Sequence, residues 1–216
     1  ACDVTLVVSP FEVEVLAKEL PETKVKVLTN IHQVYGCRKT FSQRKDIMFI
    51  GGYQHTPNVD AVEWFVKEIF PLVEKQLPDL KFHIIGSKAP KHIQAMAKNN
   101  IVYQGFVENI EPIMDDIRIA IAPLRFGAGV KGKVNMSMSY GQPVVGTKIA
   151  VEGMFTQDGV DVLMAETPQQ FANQIIRLYN DEGLWNKLSK GGLENVQKYF
   201  SFYAAKIAIN KILNGD

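Results

Sequence analysis

Between residues 46 and 164 the chain repeats one pattern: a short apolar run, a turn, a helical stretch, then another apolar run. The runs are Ile47–Ile50 (IMFI), Lys81–Ile85 (KFHII), Ile101–Tyr103 (IVY), Arg118–Ala122 (RIAIA), Pro143–Val145 (PVV) and Val160–Met164 (VDVLM). Strands whose apolar residues run together, rather than on alternate positions, are buried on both faces. When helices separate them, the sheet is parallel and helix-covered. The expected fold is therefore α/β, a doubly wound, Rossmann-like parallel sheet of six strands.

The helices follow from caps and period. Pro57-Asn58 opens 58–76, where Val59, Val62, Phe65, Val66, Ile69 and Phe70 recur near every third or fourth residue. Pro90 opens 90–98, residues 109–115 read as a brief turn, and 130–140 as a helix. Residues 168–180, 182–198 and 202–213 are helical, the second with an awkward Gly191-Gly192 pair inside it. Ahead of this unit, VTLVV (4–8), a helix after Ser9-Pro10 over roughly 11–19, and KVKVL (24–28) make a small β-α-β unit. Residues 31–45 are polar, end basic and lack periodicity, which reads as a linker. The chain thus divides into 1–30, a linker 31–45, a sheet domain 46–200 and a C-terminal helix in 201–216.

At 216 residues, one large domain or one and a half is expected. With 46% hydrophobic and 22% charged residues the chain folds rather than remaining disordered. Lys and Arg (24) nearly balance Asp and Glu (23), so no global field gathers nucleic acid or an acidic membrane. Phosphate binding must be local. Cys2 and Cys37 are too few for a disulfide scaffold or a structural zinc site, and two free thiols in a reducing compartment are expected. No apolar run reaches the length of a membrane span, and the start has no signal-peptide pattern. The reading is of a soluble, cytoplasmic protein. A strand pattern starting almost at once, without an initial Met, reads as the later part of a longer polypeptide.

Open α/β sheets bind ligands beyond the carboxyl ends of their strands. One such loop stands out, Pro123-Leu124-Arg125-Phe126-Gly127-Ala128-Gly129-Val130-Lys131-Gly132-Lys133, with three glycines and three cations leading into a helix. Glycines allow close backbone approach, and the free N–H groups and dipole of a helix start favour an anion. Arg125, Lys131 and Lys133 are the candidate phosphate stabilisers; a tight turn with solvated lysines is the plainer alternative. Gly127 to Gly132 also fits G-x-G-x-x-G, but after the wrong strand, which ranks a dinucleotide oxidoreductase last. Gly127 to Lys133 fits G-x-x-x-x-G-K, but Val134 replaces the metal-holding hydroxyl, so a P-loop NTPase is not expected. The loop at Gly51-Gly52 offers Tyr53 or His55 for a phosphate or sugar, although His55 alone reads as an exposed loop histidine. The turn at Gly105, Phe106 and Val107 offers a wall for an aromatic base, although Phe106 alone reads as core.

The blocks FIGGYQHTPNVDAVEWF (49–65), PDLKFHIIG (78–86), VYQGFVENIEP (102–112), APLRFGAGVKGKV (122–134), MSYGQPVVGT (138–147) and VEGM (151–154) occur in an order and spacing that resembles the C-terminal, donor-binding half of GT-B glycosyltransferases. The likeness is to the retaining group 1 (family 4) enzymes and covers nearly all of residues 46–202. It implies transfer of a sugar from a UDP- or GDP-sugar, with retention and without a metal or further cofactor. The acceptor, a carbohydrate or a lipid-linked glycan, would be met by an N-terminal domain of which residues 1–30 are the end; without that domain the chain is expected to be inactive. The full-length protein would be cytoplasmic, with peripheral membrane association left open. The base would lie at Gly105, Phe106 and Val107, the diphosphate and sugar at Gly127, Ala128, Gly129, Val130 and Gly132, and the Gly51-Gly52 loop would line the cleft.

The chain departs from that pattern at the paired glutamates, which correspond to Ala128 and Met136. A methionine does not replace a carboxylate that grips ribose hydroxyls, a loss of about 1.5–3 kcal/mol. Glu152 and Asn135 are the available substitutes. The basic pair after the first strand is missing too: Tyr53, Gln54 and His55 stand there. A degenerate binding or scaffold module is therefore the alternative to an enzyme.

Overall fold

The computed structural model describes residues 2–214. Its centre is a six-stranded, wholly parallel sheet: β3 (Lys45–Ile50), β4 (Phe82–Ile85), β5 (Ile101–Gly105), β6 (Ile117–Ala122), β7 (Val144–Gly146) and β8 (Leu163–Met164). The order across the sheet is β5-β4-β3-β6-β7-β8. β3 pairs with β4 through Ile47 and Phe82 and with β6 through Ile47 and Ile119, so the winding reverses at β3 and leaves a crevice between the carboxyl ends of β3 and β6. A smaller parallel pair, β1 (Thr5–Val7) and β2 (Val25–Val27), is joined by helix α1 (Pro10–Glu19). Ser9 caps that helix in a reciprocal box with Glu12.

The first large helix differs from the expected continuous 58–76. It begins as α2 (Thr56–Trp64), loosens into a π-type turn over Phe65–Ile69 and resumes as α3 (Phe70–Glu74). Pro71 has no N–H to donate and its ring crowds the carbonyl four residues earlier, so the regular ladder cannot run through it. The widened turn keeps Phe65 and Ile69 fully buried, with Phe65 packed against Phe82 and Phe171. The expected helix 90–98 is only α4 (Lys91–Gln94): Met96 and Ala97 bond three residues back rather than four, and Asn99 then turns the chain with a positive φ before β5. α5 spans Glu111–Asp116 and α6 spans Gly132–Ser139. The C-terminal helices, α7 (Pro168–Asn180), α8 (Glu182–Tyr199) and α9 (Phe202–Asn214), lie where the caps place them.

The glycine pair inside α8 is a close-approach site. A Cβ at Gly191 would lie 2.2 Å from the Val160 carbonyl oxygen, and one at Gly192 would lie 3.1 Å from Met138 on α6. The pair lets α8 back α6, the helix that borders the crevice.

Residues 31–40 contain no helix or strand, yet they are fastened to the sheet unit. Tyr35 stacks on Tyr140 with centroids 4.2 Å apart, and its N–H bonds the Ser139 carbonyl. Arg44, fully buried, donates to the carbonyls of Lys39, Met114 and Tyr140. Cys2 and Cys37 are both exposed and free.

Candidate functional site

The crevice at the switch point holds a cavity of about 610 Å³, within the usual range for small-molecule sites. Its floor is the end of β3 and β4: Ile50, Gly51, Gly52, Ile85, Gly86 and Ser87. These two strand ends nearly touch. A Cβ at Gly86, where φ is +135°, would fall 1.8 Å from the Gly51 carbonyl oxygen, so only glycine fits. One wall is apolar, made by Phe106, Val107 and Ile110. The opposite wall is α6, presenting Gly132, Lys133, Met136, Ser139 and Tyr140. Segment 31–35 closes the rim with Ile31, His32, Gln33 and Tyr35.

Among the three cations, only Lys133 faces this space. Its ammonium donates to Asn58 Oδ1 and lies 4.3 Å from the Phe49 ring centroid. Asn58 uses its other end as well, donating through Nδ2 to the Gly52 carbonyl at 2.7 Å, so one amide fixes both the glycine loop and the lysine. Loss of hydration, with a smaller contribution in the same direction from the charge of Lys131, lowers the Lys133 pKa to about 7. The N-terminus of α6 adds free N–H groups and a positive dipole end beside it. This end of the cavity is set for an anion.

The other two cations have different tasks, which corrects the expectation that all three converge. Arg125 turns outward into a two-pronged ion pair with Asp60 on α2, its guanidinium 5.6 Å from the Trp64 ring centroid. Lys131 is buried and donates to the carbonyls of Gly127 and Gly129, at 3.2 and 2.6 Å, so it holds the loop's shape and points its charge at that loop. Burial lowers the Lys131 pKa, against the opposing effect of Glu152. Gly127 and Gly129 both adopt positive φ, and the loop rests on Pro57 at the start of α2.

The remaining expected residues divide. Gly51, Gly52, Phe106, Val107, Gly132, Lys133 and Met136 line the cavity; Tyr53, His55, Gly105, Arg125, Gly127, Ala128, Gly129, Val130, Lys131 and Glu152 do not. Phe106 is 74% exposed, so it is a wall rather than core. Tyr53 goes the other way: it packs near Phe49, and its hydroxyl is buried without a partner, which removes it as a phosphate donor. His55 is exposed. Asn135 is fully buried with both amide ends unpartnered and does not reach the cavity, so it does not replace the missing acid; nor does Glu152, which lies outside the lining. Among the described residues, the cavity lining contains no Asp or Glu.

Sequence reasoning missed Asn58, His32 and Tyr35. Asn58 was read as a helix start. His32 and Tyr35 fall in the segment read as a linker, and His32 lies over Gly132, where a Cβ would come within 3.8 Å of its ring. Desolvation lowers the His32 pKa, which favours the neutral imidazole.

Residues 44–181 match the family described as Glycosyl transferases group 1. The chain belongs to that family. An uncharacterised 44.6 kDa protein in the cps region of Klebsiella pneumoniae is 29% identical over 140 residues, covering 61% of this chain and 36% of that protein. The fold is that of GT-B glycosyltransferases. S. aureus TarM, crystallised as a mutant with UDP, α-GlcNAc-glycerol and fondaparinux, superposes with a TM-score of 0.81 at 18% identity, over 98% of this chain and 43% of that one. The C-terminal domain of the group 1 glycosyl transferase LpcC from Francisella tularensis gives 0.63 at 18% identity, over 78% of this chain and 96% of that domain. The chain thus spans less than half the length of the Klebsiella protein and of TarM. Among the described residues, no helix is long and apolar enough to cross a membrane.

Proposed function

We propose that the cavity is the donor site of a glycosyltransferase, taking a nucleoside diphosphate-sugar and passing its sugar to a carbohydrate or lipid-linked acceptor held by a domain outside this chain. One observation carries the reading: a cationic end, made by Lys133 and the start of α6, and an apolar wall, made by Phe106, Val107 and Ile110, line the same switch-point crevice. A diphosphate suits the first, and a nucleobase suits the second. The family membership and the UDP in the TarM structure support it.

In this reading the protein accelerates transfer by positioning and by charge. Lys133 and the helix dipole stabilise the negative charge that builds on the leaving diphosphate as the glycosidic bond breaks. In this proposal Lys133 and the start of α6 supply that stabilisation in place of a metal, and the acceptor oxygen joins the anomeric carbon on the face the diphosphate leaves while its proton passes to the departing phosphate, which gives retention. Titration of the chain with UDP and other nucleoside diphosphates, followed by amide shifts, should perturb Gly51, Gly132 and Lys133. Silence at millimolar ligand would overturn the proposal.

A second reading, a nucleotide-binding module that has lost transfer, is favoured by the carboxylate-free lining and by the turn of Arg125 toward Asp60. Turnover of a bound sugar nucleotide by the full-length protein, with the anomer of the product read by NMR, separates the two.

A further inference from the structure

We infer that the activated sugar taken here is carried on a 2′-deoxyribonucleotide, a thymidine diphosphate-sugar; the inference rests on the donor-site reading above. The geometry of α6 places the pentose. With the diphosphate at Gly132 and Lys133, a residue four positions past Gly132 stands one turn along the helix, about 6 Å. A pentose that follows its phosphate along this wall meets Met136, which lines the cavity.

Nucleotide-binding crevices in wound sheets meet a ribose hydroxyl with a carboxylate. Among the described residues the lining has none; Glu108, between Val107 and Ile110, is exposed and outside it, and three acids on other flanking elements are engaged elsewhere. Asp60 holds Arg125, Glu111 pairs with Arg38 at 3.0 Å, and Glu152 lies beside Lys131 outside the cavity. On the same wall the Ser139 hydroxyl already donates to the Met136 carbonyl at 2.7 Å. A thioether is a weak acceptor, so a 2′-hydroxyl pressed against Met136 gives up water for little return, whereas a 2′-methylene gains an apolar contact. The base end points the same way. Phe106, Val107 and Ile110 offer a surface on which the 5-methyl group of thymine buries, worth roughly fourfold in affinity by the usual value of one buried carbon.

The test uses the chain as it stands, with dTDP, dUDP, UDP and GDP titrated calorimetrically. dTDP should bind about tenfold or more tighter than UDP, with dUDP between them because it isolates the sugar from the methyl group. Met136→Glu should narrow or reverse that gap by strengthening UDP alone. UDP or GDP binding within threefold of dTDP in the unmodified chain overturns the inference and leaves the donor-site reading in place. Absence of binding by all four nucleotides overturns the donor-site reading itself. The unmodified comparison decides the matter even if the glutamate variant fails to fold.

Discussion

The Lys133 ammonium sits 4.3 Å from the centroid of the Phe49 ring while donating to Asn58 Oδ1, so a charge from one wall of the crevice is delivered to the end of β3. Its poised titration gives a signature. Burial lowers its pKa from 10.5 to about 7, so between those values the folded chain has released a proton that the unfolded chain keeps. Stability from this group therefore rises as pH increases from about 7 to about 10.5, since the unfolded state binds more protons there. An anion at the cavity's cationic end raises the pKa again. Binding of a sugar nucleotide, whose phosphates do not titrate near neutrality, should then take up a proton at pH 7.5 and weaken as pH rises further. Calorimetry in two buffers of different ionisation enthalpy measures the uptake, and Lys133→Met should abolish it.

The split among the three cations predicts unequal mutants. Lys133→Met should lower nucleotide affinity by about tenfold or more, because a charge-assisted contact to phosphate is lost. Arg125→Ala should leave affinity within about threefold and stability within about 1 kcal/mol, because its pair with Asp60 is exposed on the arginine side and solvent-screened. Equal losses for the two would mean that Arg125 swings from Asp60 to the ligand. The measurement is binding isotherms at two salt concentrations, together with urea melts.

The approach of Gly86 to Gly51 is a backbone constraint that affinity and stability should both report. Gly86→Ala introduces a Cβ 1.8 Å from a carbonyl oxygen at φ +135°, so the two strand ends must part. A destabilisation of about 2–3 kcal/mol is expected, in the range of a residue forced into strained backbone. Nucleotide affinity should fall too, since Gly51 and Gly86 form the cavity floor. Gly36→Ala is a control for positive φ without the clash, because nothing lies within 4 Å of its Cβ position.

How far these features were readable from the chain depends on their range. The parallel sheet was legible because β3, β4 and β6 each carry apolar residues on both faces, a local signal of burial on both sides. The start of α6 and its anion-favouring end were legible from the glycines and lysines of 127–133. The directions of the cations were not: whether Arg125 enters the crevice is decided by Asp60, 65 residues away, and the loop-holding task of Lys131 depends on carbonyls that turn inward only once the loop is folded. The rim was hidden for a like reason. Residues 31–45 lack periodicity, and what fixes them is remote: Tyr140 under Tyr35, and the Met114 and Tyr140 carbonyls around Arg44.

Arg44 ties these levels together. Its guanidinium is inaccessible to solvent and satisfies the carbonyls of Lys39, Met114 and Tyr140, which belong to the rim segment, to α5 and to the end of α6. Arg44→Met keeps an apolar stem of similar length but leaves those acceptors without donors in a dry site. A loss of about 3 kcal/mol is expected, the range for buried polar groups deprived of a charged partner. Urea titration gives that value directly. The rim should also loosen, since Tyr35 is held only a few residues upstream by its stack on Tyr140 and its N–H bond to Ser139. Amide exchange in residues 31–36 should therefore accelerate by more than in β3, and nucleotide affinity should fall although Arg44 is not among the residues lining the cavity. Unchanged exchange at the rim, with the same loss of global stability, would show that the contacts to Tyr140 and Ser139 anchor the segment without Arg44.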